Sequence, residues 1–371
     1  MSTHKAYVQA EGGAPTTIQT VPTPSPLIGQ ILVDVLATPI LSYTSGVLGG
    51  NMFPLAHPLT PGIAAIGRIV AVGADSTVLK KDQLVFCNPS IRARDDISGG
   101  TSILQGWFGG MTSESMKLMQ GPWRHGSWSE KLVVPTENVT PLDEQRLTQE
   151  LGYAIPQLCW INEFLVPFGG FLAADFRPGS TVIVAPATGH FGGCAVQVAL
   201  AMGARKVIAV GRNADALRNL EKLDANGRVT SVALTGEGEK DAIAIRSASS
   251  AGRGADVYVD FSPPQASNAT HPQACISALK HGGQAILMGG VRSNISLNYA
   301  QLMINNIIVK GNFMYDVHAP SMIMGLIESG VLSLKGLNTK VFGFDELQNA
   351  IGFAEKHVGM ADLTVLTPVV K

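Results

Sequence analysis

Short apolar runs of β-branched residues open the chain, at residues 5–8, at Gln30-Ile-Leu-Val-Asp-Val-Leu36 and at Ile66-Gly-Arg-Ile-Val-Ala-Val-Gly73. Proline and glycine punctuate them at short intervals, the pattern of a β-rich barrel-like or sandwich domain. After Pro141 the period changes, and residues 143–172 read as a helix or helix pair interrupted near Pro156 and Pro167. From Thr181 strands and helices alternate: strands at 181–185, 206–210, 256–260 and 284–288, helices at 192–202 and 214–222. Such alternation predicts a doubly wound parallel sheet covered by helices on both faces.

Composition narrows the class. The 371 residues include 27 Lys+Arg and 28 Asp+Glu, so 15% are charged where about 25% is usual. An apolar fraction of 46% with a net charge of −1 is the reverse of a disordered chain and lacks the basic footprint of a nucleic-acid or membrane-surface binder. Two uncharged runs, Val35 to Gly67 and Pro178 to Ala204, are long enough to span a bilayer. The first carries Pro39, Pro54, Pro58 and Pro61 and the second Pro186 among five glycines, which breaks any spanning helix. Neither end shows a signal, retention or lipidation pattern, so the expectation is a soluble cytoplasmic protein with no membrane partner. Cys87, Cys159, Cys194 and Cys275 are too widely spaced for a disulfide framework or metal knuckles.

The strongest motif is Thr181-Val-Ile-Val-Ala-Pro-Ala187-Thr188-Gly189-His190-Phe191-Gly192. Ala187-x-Gly189-x-x-Gly192 is a dinucleotide fingerprint with Ala in the first glycine position, placed between a predicted strand and a predicted helix. Such a turn lets backbone approach a pyrophosphate at a helix N-terminus. A plain strand-to-helix turn is the competing reading. The next strand ends at Gly211-Arg212-Asn213, where an acid would bind the ribose hydroxyls of NAD. Gly211 leaves room for a 2′-phosphate and Arg212 can bond it, so NADP(H) is the expected cofactor, with Arg218 as a second contact. Arg212 as a solvated surface charge is the alternative. Asp215, the nearest acid, falls late and inside the following helix.

With these motifs in place, the chain resembles the medium-chain dehydrogenase/reductase superfamily of alcohol dehydrogenases and quinone or enoyl reductases. Pro61-Gly-Ile-Ala-Ala-Ile-Gly-Arg-Ile-Val-Ala-Val-Gly73, Leu79 to Phe86, Gly126 to Pro135, Gly254 to Asp260, Gly282 to Gly289 and Val309-Lys-Gly311 match its landmarks in order. The resemblance implies a β-rich GroES-like catalytic domain (residues 1–155 and 316–371) around a Rossmann NADP-binding domain (156–315). It places Gly289, Gly290 and Val291 beside the nicotinamide and suggests a homodimer. Zinc-dependent members keep a ligand Cys where this chain has Leu41, and a Gly-His-Glu triplet where it has Gly62-Ile63-Ala64. The structural-zinc segment retains only Cys87 between residues 86 and 126, so no metal is expected. His57 reads as a loop histidine.

Without a Lewis acid, charge on the reacting oxygen must be spread or bonded. Conjugate reduction spreads it through an enolate, and zinc-free relatives are commonly reductases of this type. The expected activity is therefore NADPH-dependent reduction of the C=C bond of an apolar α,β-unsaturated carbonyl or quinone. Metal-free carbonyl reduction or alcohol oxidation is the alternative, and a cofactor-binding protein without redox turnover is a third class. The resemblance puts Tyr43 where relatives carry a proton-relay hydroxyl, with Ser42 and Thr44 as substitutes. A packed aromatic ring is the competing role for Tyr43. His190, inside the phosphate turn, reads either as a contact to the nicotinamide or substrate or as a solvent-facing turn residue. Residues 88–125, with Trp107, Phe108, Met111, Met116, Met119 and Trp123, read either as a cover over an apolar substrate or as a satellite core.

Overall fold

In the computed structural model, which describes residues 2–368, the run Thr181–Ala185 is buried at all five positions. It is apolar throughout because it lies inside a six-stranded parallel sheet with both faces covered. The spatial order is Val229–Ala233, Lys206–Gly211, Thr181–Ala185, Ala255–Asp260, Leu279–Leu287, Ile308–Gly311. Counted along the chain this is 3-2-1-4-5-6, a Rossmann sheet whose order reverses beside the first strand. Ile183, Ile208, Val210, Tyr258, Cys275 and Ala285 share one core on this sheet.

The other sheet is built on Gln30–Ile40, which pairs antiparallel with Ala65–Val72, Lys131–Pro135 and Asp362–Thr367. Alternation decides its inward face: Ile31, Val33 and Val35 pack with Ile69, Val85, Leu132 and Val134. The seven strands and Pro/Gly turns form the β-rich GroES-like domain. One compact unit comprises Met1–Asn162, Leu334–Val358 and Asp362–Lys371, the other Glu163–Ser333 and Gly359–Ala361. The units therefore part at 162/163 and 333/334, whereas the sequence suggested 155/156 and 315/316. Helix Ala319–Glu328 falls in the Rossmann unit.

Several local expectations are corrected. Pro167 lies inside helix Trp160–Ala173 and does not interrupt it; a wide turn at Gln145–Glu150 and a tight one at Ile155–Cys159 precede that helix. The sheet's third strand, Val229–Ala233, and helix Gly238–Ser247 were not foreseen. Residues 88–125 fold as strands Ser90–Arg92 and Ser102–Leu104 and helix Ser113–Gln120. Ile91, Ile103 and Met119 are buried there against Leu55, Leu118 and Trp123, and Trp107 and Phe108 are buried too. That is the satellite-core reading, and only Met111 of the six points outward, at 82% exposure. Among the described residues no helix is long and apolar enough to cross a membrane.

Candidate functional site

The carboxyl edge of the Rossmann sheet gathers the turns after Ala185, Gly211, Asp260 and Leu287, since those strands are parallel and in register. Helix His190–Ala201 starts at the first of these turns, with Gly189 at its N-cap and no side chain capping its amides. Gly189 is exposed, and a Cβ there would meet nothing within 4 Å. A phosphate can therefore approach that backbone. A Cβ at Gly192 would instead collide with the Pro186 carbonyl oxygen, so this glycine lets the helix press onto the strand end. Ala187 is buried, donates its N–H to the Val210 carbonyl at 2.7 Å and keeps a negative φ, which is why Ala serves in the first glycine position. Thr188 and Phe191 are half-buried on the same turn. These residues fit a dinucleotide.

At the second turn Gly211 is buried and Arg212 exposed. Arg212 makes no hydrogen bond or ion pair among the described residues, leaving its guanidinium available to an anion. Asn213 is engaged elsewhere, since its Oδ1 accepts from the amides of Asp215 and Ala216 at 3.0 and 3.1 Å and caps helix Ala214–Glu221. Arg218 is ion-paired to Asp215 one turn back, which ties up the second proposed phosphate contact and the nearest acid together.

Two polar groups at this edge were missed by sequence reasoning. Nε2 of His190 lies 2.8 Å from Oε2 of Glu163, whose side chain is wholly buried. The histidine does not simply face solvent; its side chain is 15% exposed. At the fourth strand's end Asp260 accepts from Tyr258 Oη at 2.8 Å and from Ser262 Oγ, and His271 Nε2 lies 2.7 Å from that Oγ. Since the serine donates to the carboxylate, its Oγ accepts from an N–H at Nε2 of His271. Burial pulls the His271 pKa down, with nearby Arg212 adding to it and Asp260 opposing. Burial and Asp260 push the Tyr258 and Cys275 protons on more tightly. The Asp260 carboxylate and the Ser262 backbone also leave no space for a Cβ at Gly289. Gly290 donates to the Ser262 carbonyl at 2.8 Å. The network thus holds the backbone at Gly289 and Gly290. Asp260 closes the landmark segment from Gly254 in the sequence, but its serine and histidine partners were not foreseen.

The β-rich unit holds the catalytic candidates. Tyr43 is half-buried at the start of helix Thr44–Leu48, edge-on to Trp107 with ring centroids 6.2 Å apart. Trp107 in turn meets Trp128 at 6.0 Å. Ser42 is half-buried. Thr44 is fully buried and its Oγ1 has no hydrogen-bond partner, so of the three hydroxyls it is the least able to reach a substrate. Leu41, Ile63 and Ala64, at the positions of the absent metal ligands, are all buried. Among the described residues no three His, Cys, Asp or Glu side chains converge as a metal site; the donor set does not fit zinc. His57 lies in a loop, as expected, and its Nε2 is 3.2 Å from Gln9 Oε1.

Among known protein families, residues 28–144 match the one described as alcohol dehydrogenase GroES-like domain, and residues 191–329 the one described as zinc-binding dehydrogenase. D-xylulose reductase A of Aspergillus oryzae is 27% identical over 349 residues, covering 92% of this chain and 90% of the relative. An NAD-dependent alcohol dehydrogenase structure superposes with a TM-score of 0.73 at 23% identity, covering 98% of this chain and 100% of that one. A Sinorhizobium meliloti 1021 structure bound to NADP gives 0.77 at 18% identity, covering 99% and 100%. The structural likenesses show the fold.

Proposed function

The chain belongs to the medium-chain dehydrogenase/reductase superfamily as an alcohol dehydrogenase-like oxidoreductase, and on that premise we propose a zinc-independent, NADPH-dependent reductase. Its substrate is an activated C=C bond in an apolar α,β-unsaturated carbonyl or quinone. One observation carries the reading: aliphatic Leu41, Ile63 and Ala64 stand buried where zinc-bearing relatives keep ligands. A site without a Lewis acid handles an enolate more readily than a localised alkoxide.

NADPH, when bound, would supply a hydride for the β-carbon, with a proton for the α-carbon coming from the protein. Gly189 and the uncapped amides of helix His190–Ala201 receive the pyrophosphate. Arg212 takes the 2′-phosphate, and Gly211 leaves room for it. Gly289 and Gly290, held by Ser262 and Asp260, and the adjoining Val291 would support the nicotinamide. Tyr43 donates the proton, its ring oriented by Trp107.

A second reading, metal-free reduction of a carbonyl, draws on the fungal D-xylulose reductases. NADPH oxidation across enones, quinones, aldehydes, simple ketones and xylulose, with and without a chelator, separates the two. Chelator-insensitive turnover confined to enones or quinones supports the proposal, whereas turnover of xylulose or simple ketones sinks it. The edge strand Ile308–Gly311, with Tyr299, Met303, Ile304 and Phe313 exposed around it, supports a homodimer; a monomeric mass in light scattering would refute that. Four buried free thiols suit the cytoplasm.

A further inference from the structure

The first turn of helix His190–Ala201 carries a second close approach, made by a segment far away in sequence. Gly193 is buried, and a Cβ there would collide with Cγ of Met360 and lie 2.5 Å from its Cβ and 3.0 Å from its Sδ. The three nearest atoms all come from that one side chain. Met360 is half-buried in the turn between helix Leu347–Lys356 and strand Asp362–Thr367, and its stretch Gly359–Ala361 belongs to the Rossmann unit. The two adjacent glycines therefore answer to different partners. Gly192 admits the Pro186 carbonyl, and Gly193 admits a methionine.

Position along the helix makes this contact bear on the nucleotide. The Gly193 N–H donates to the Gly189 carbonyl at 2.9 Å, and residues four apart lie on one helix face. Gly189 is the open end of that face, exposed and with nothing within 4 Å of a Cβ. Met360 covers the face one turn further on. Its unbranched thioether can fill a tight, irregular gap, and being a poor hydrogen-bond acceptor it leaves the amides of the turn to a ligand.

Resting on the dinucleotide reading above, we propose that Met360 is a positioning residue of the nucleotide site: packed on Gly193, it braces the first turn of the helix so that the backbone from Gly189 to Gly192 stays set for the pyrophosphate. It acts through the turn, which every nicotinamide dinucleotide shares, and not through the 2′-phosphate. Its influence therefore falls on NADPH and NADH alike, unlike that of Arg212.

The test is a double-mutant cycle on Gly193→Ala and Met360→Ala. Affinity is followed by cofactor fluorescence with NADPH and separately with NADH, beside the melting midpoint of the cofactor-free chain. Met360→Ala is expected to weaken both cofactors by about fivefold, and Met360→Leu, which keeps the bulk, by less than about twofold. Gly193→Ala is expected to weaken both by about tenfold in the native background and by less than about twofold in the Met360→Ala background, where the obstacle to the new methyl is gone. Strictly additive losses overturn the proposal. So does a Met360→Ala chain that melts earlier but binds both cofactors as the native chain does, or one that loses NADPH alone. If Gly193→Ala does not fold, the Met360 variants decide: Leu no better than Ala overturns the proposal. In each of these results the native chain still binds cofactor, and the dinucleotide reading survives. Failure of the native chain to bind either cofactor removes that reading and the proposal together.

Discussion

Gly211 packs against Thr188 of the phosphate turn, so that a Cβ at Gly211 would come within 3.1 Å of Thr188 Cγ2 and 3.3 Å of its Oγ1. A side chain at position 211 would thus crowd Thr188 of the turn, and the adjacent Arg212 makes no hydrogen bond or ion pair among the described residues. Arg212→Ala should weaken NADPH by roughly thirtyfold, about 2 kcal/mol for a charge-assisted bond, and NADH by less than about twofold. Isothermal titration with both cofactors checks this; equal losses would contradict the 2′-phosphate assignment.

The two fingerprint glycines do different work and should fail differently. Gly189 faces open space, so Gly189→Val should leave the thermal midpoint nearly unchanged while blocking the nucleotide. Gly192 has no room for a Cβ beside Pro186, so Gly192→Ala should destabilise the fold by about 1–3 kcal/mol, as overpacking does, and weaken binding too. A melting curve and a cofactor titration on each variant tell them apart, and a stable Gly192→Ala chain would be the adverse result.

Tyr43→Phe keeps the ring that packs on Trp107 and removes only the hydroxyl. Turnover should fall by roughly a hundredfold or more, the usual share of a general acid, with NADPH affinity unchanged. Unaltered turnover would return Tyr43 to a packing role.

His271 gives the fold an acid sensitivity with a definite sign. Its native pKa lies below the unfolded value of 6.5, so the unfolded chain takes up a proton that the native one resists. Its contribution is complete above pH ~6.5 and is lost as pH falls toward the native value. Urea unfolding at about pH 7.5 and pH 5.5 should show a smaller acid loss in His271→Gln than in the native chain. Identical losses would place the sensitivity elsewhere.

The order of elements was legible where burial writes a simple pattern. Thr181–Ala185 is buried on both faces and reads as one unbroken apolar run, and the glycines beyond it announce the turn. Val229–Ala233 was not legible, because two of its five residues are Thr and Ser and only two are buried. Helix Gly238–Ser247 buries Asp241 and Ile245 alone and gives no apolar stripe. Pro167 looked like a break because the cost of proline within a helix is local, whereas the packing that overrides it is tertiary; Phe164, Leu165, Phe168 and Phe171 around it are buried. At the candidate site, the turn of Gly189 and Gly192 and the strand end at Gly211-Arg212 were readable because strand, turn and helix follow one another in sequence. Glu163 and His271 were not, since each finds its partner only when separate elements meet at the sheet edge.

The central claim is conjugate reduction, and the position of the transferred hydride tests it most directly. NADPH carrying deuterium at the reactive C4 position, incubated with an apolar enone and the native chain, should leave the label on the β-carbon of a saturated ketone. Label on the carbonyl carbon of an allylic alcohol would contradict the account.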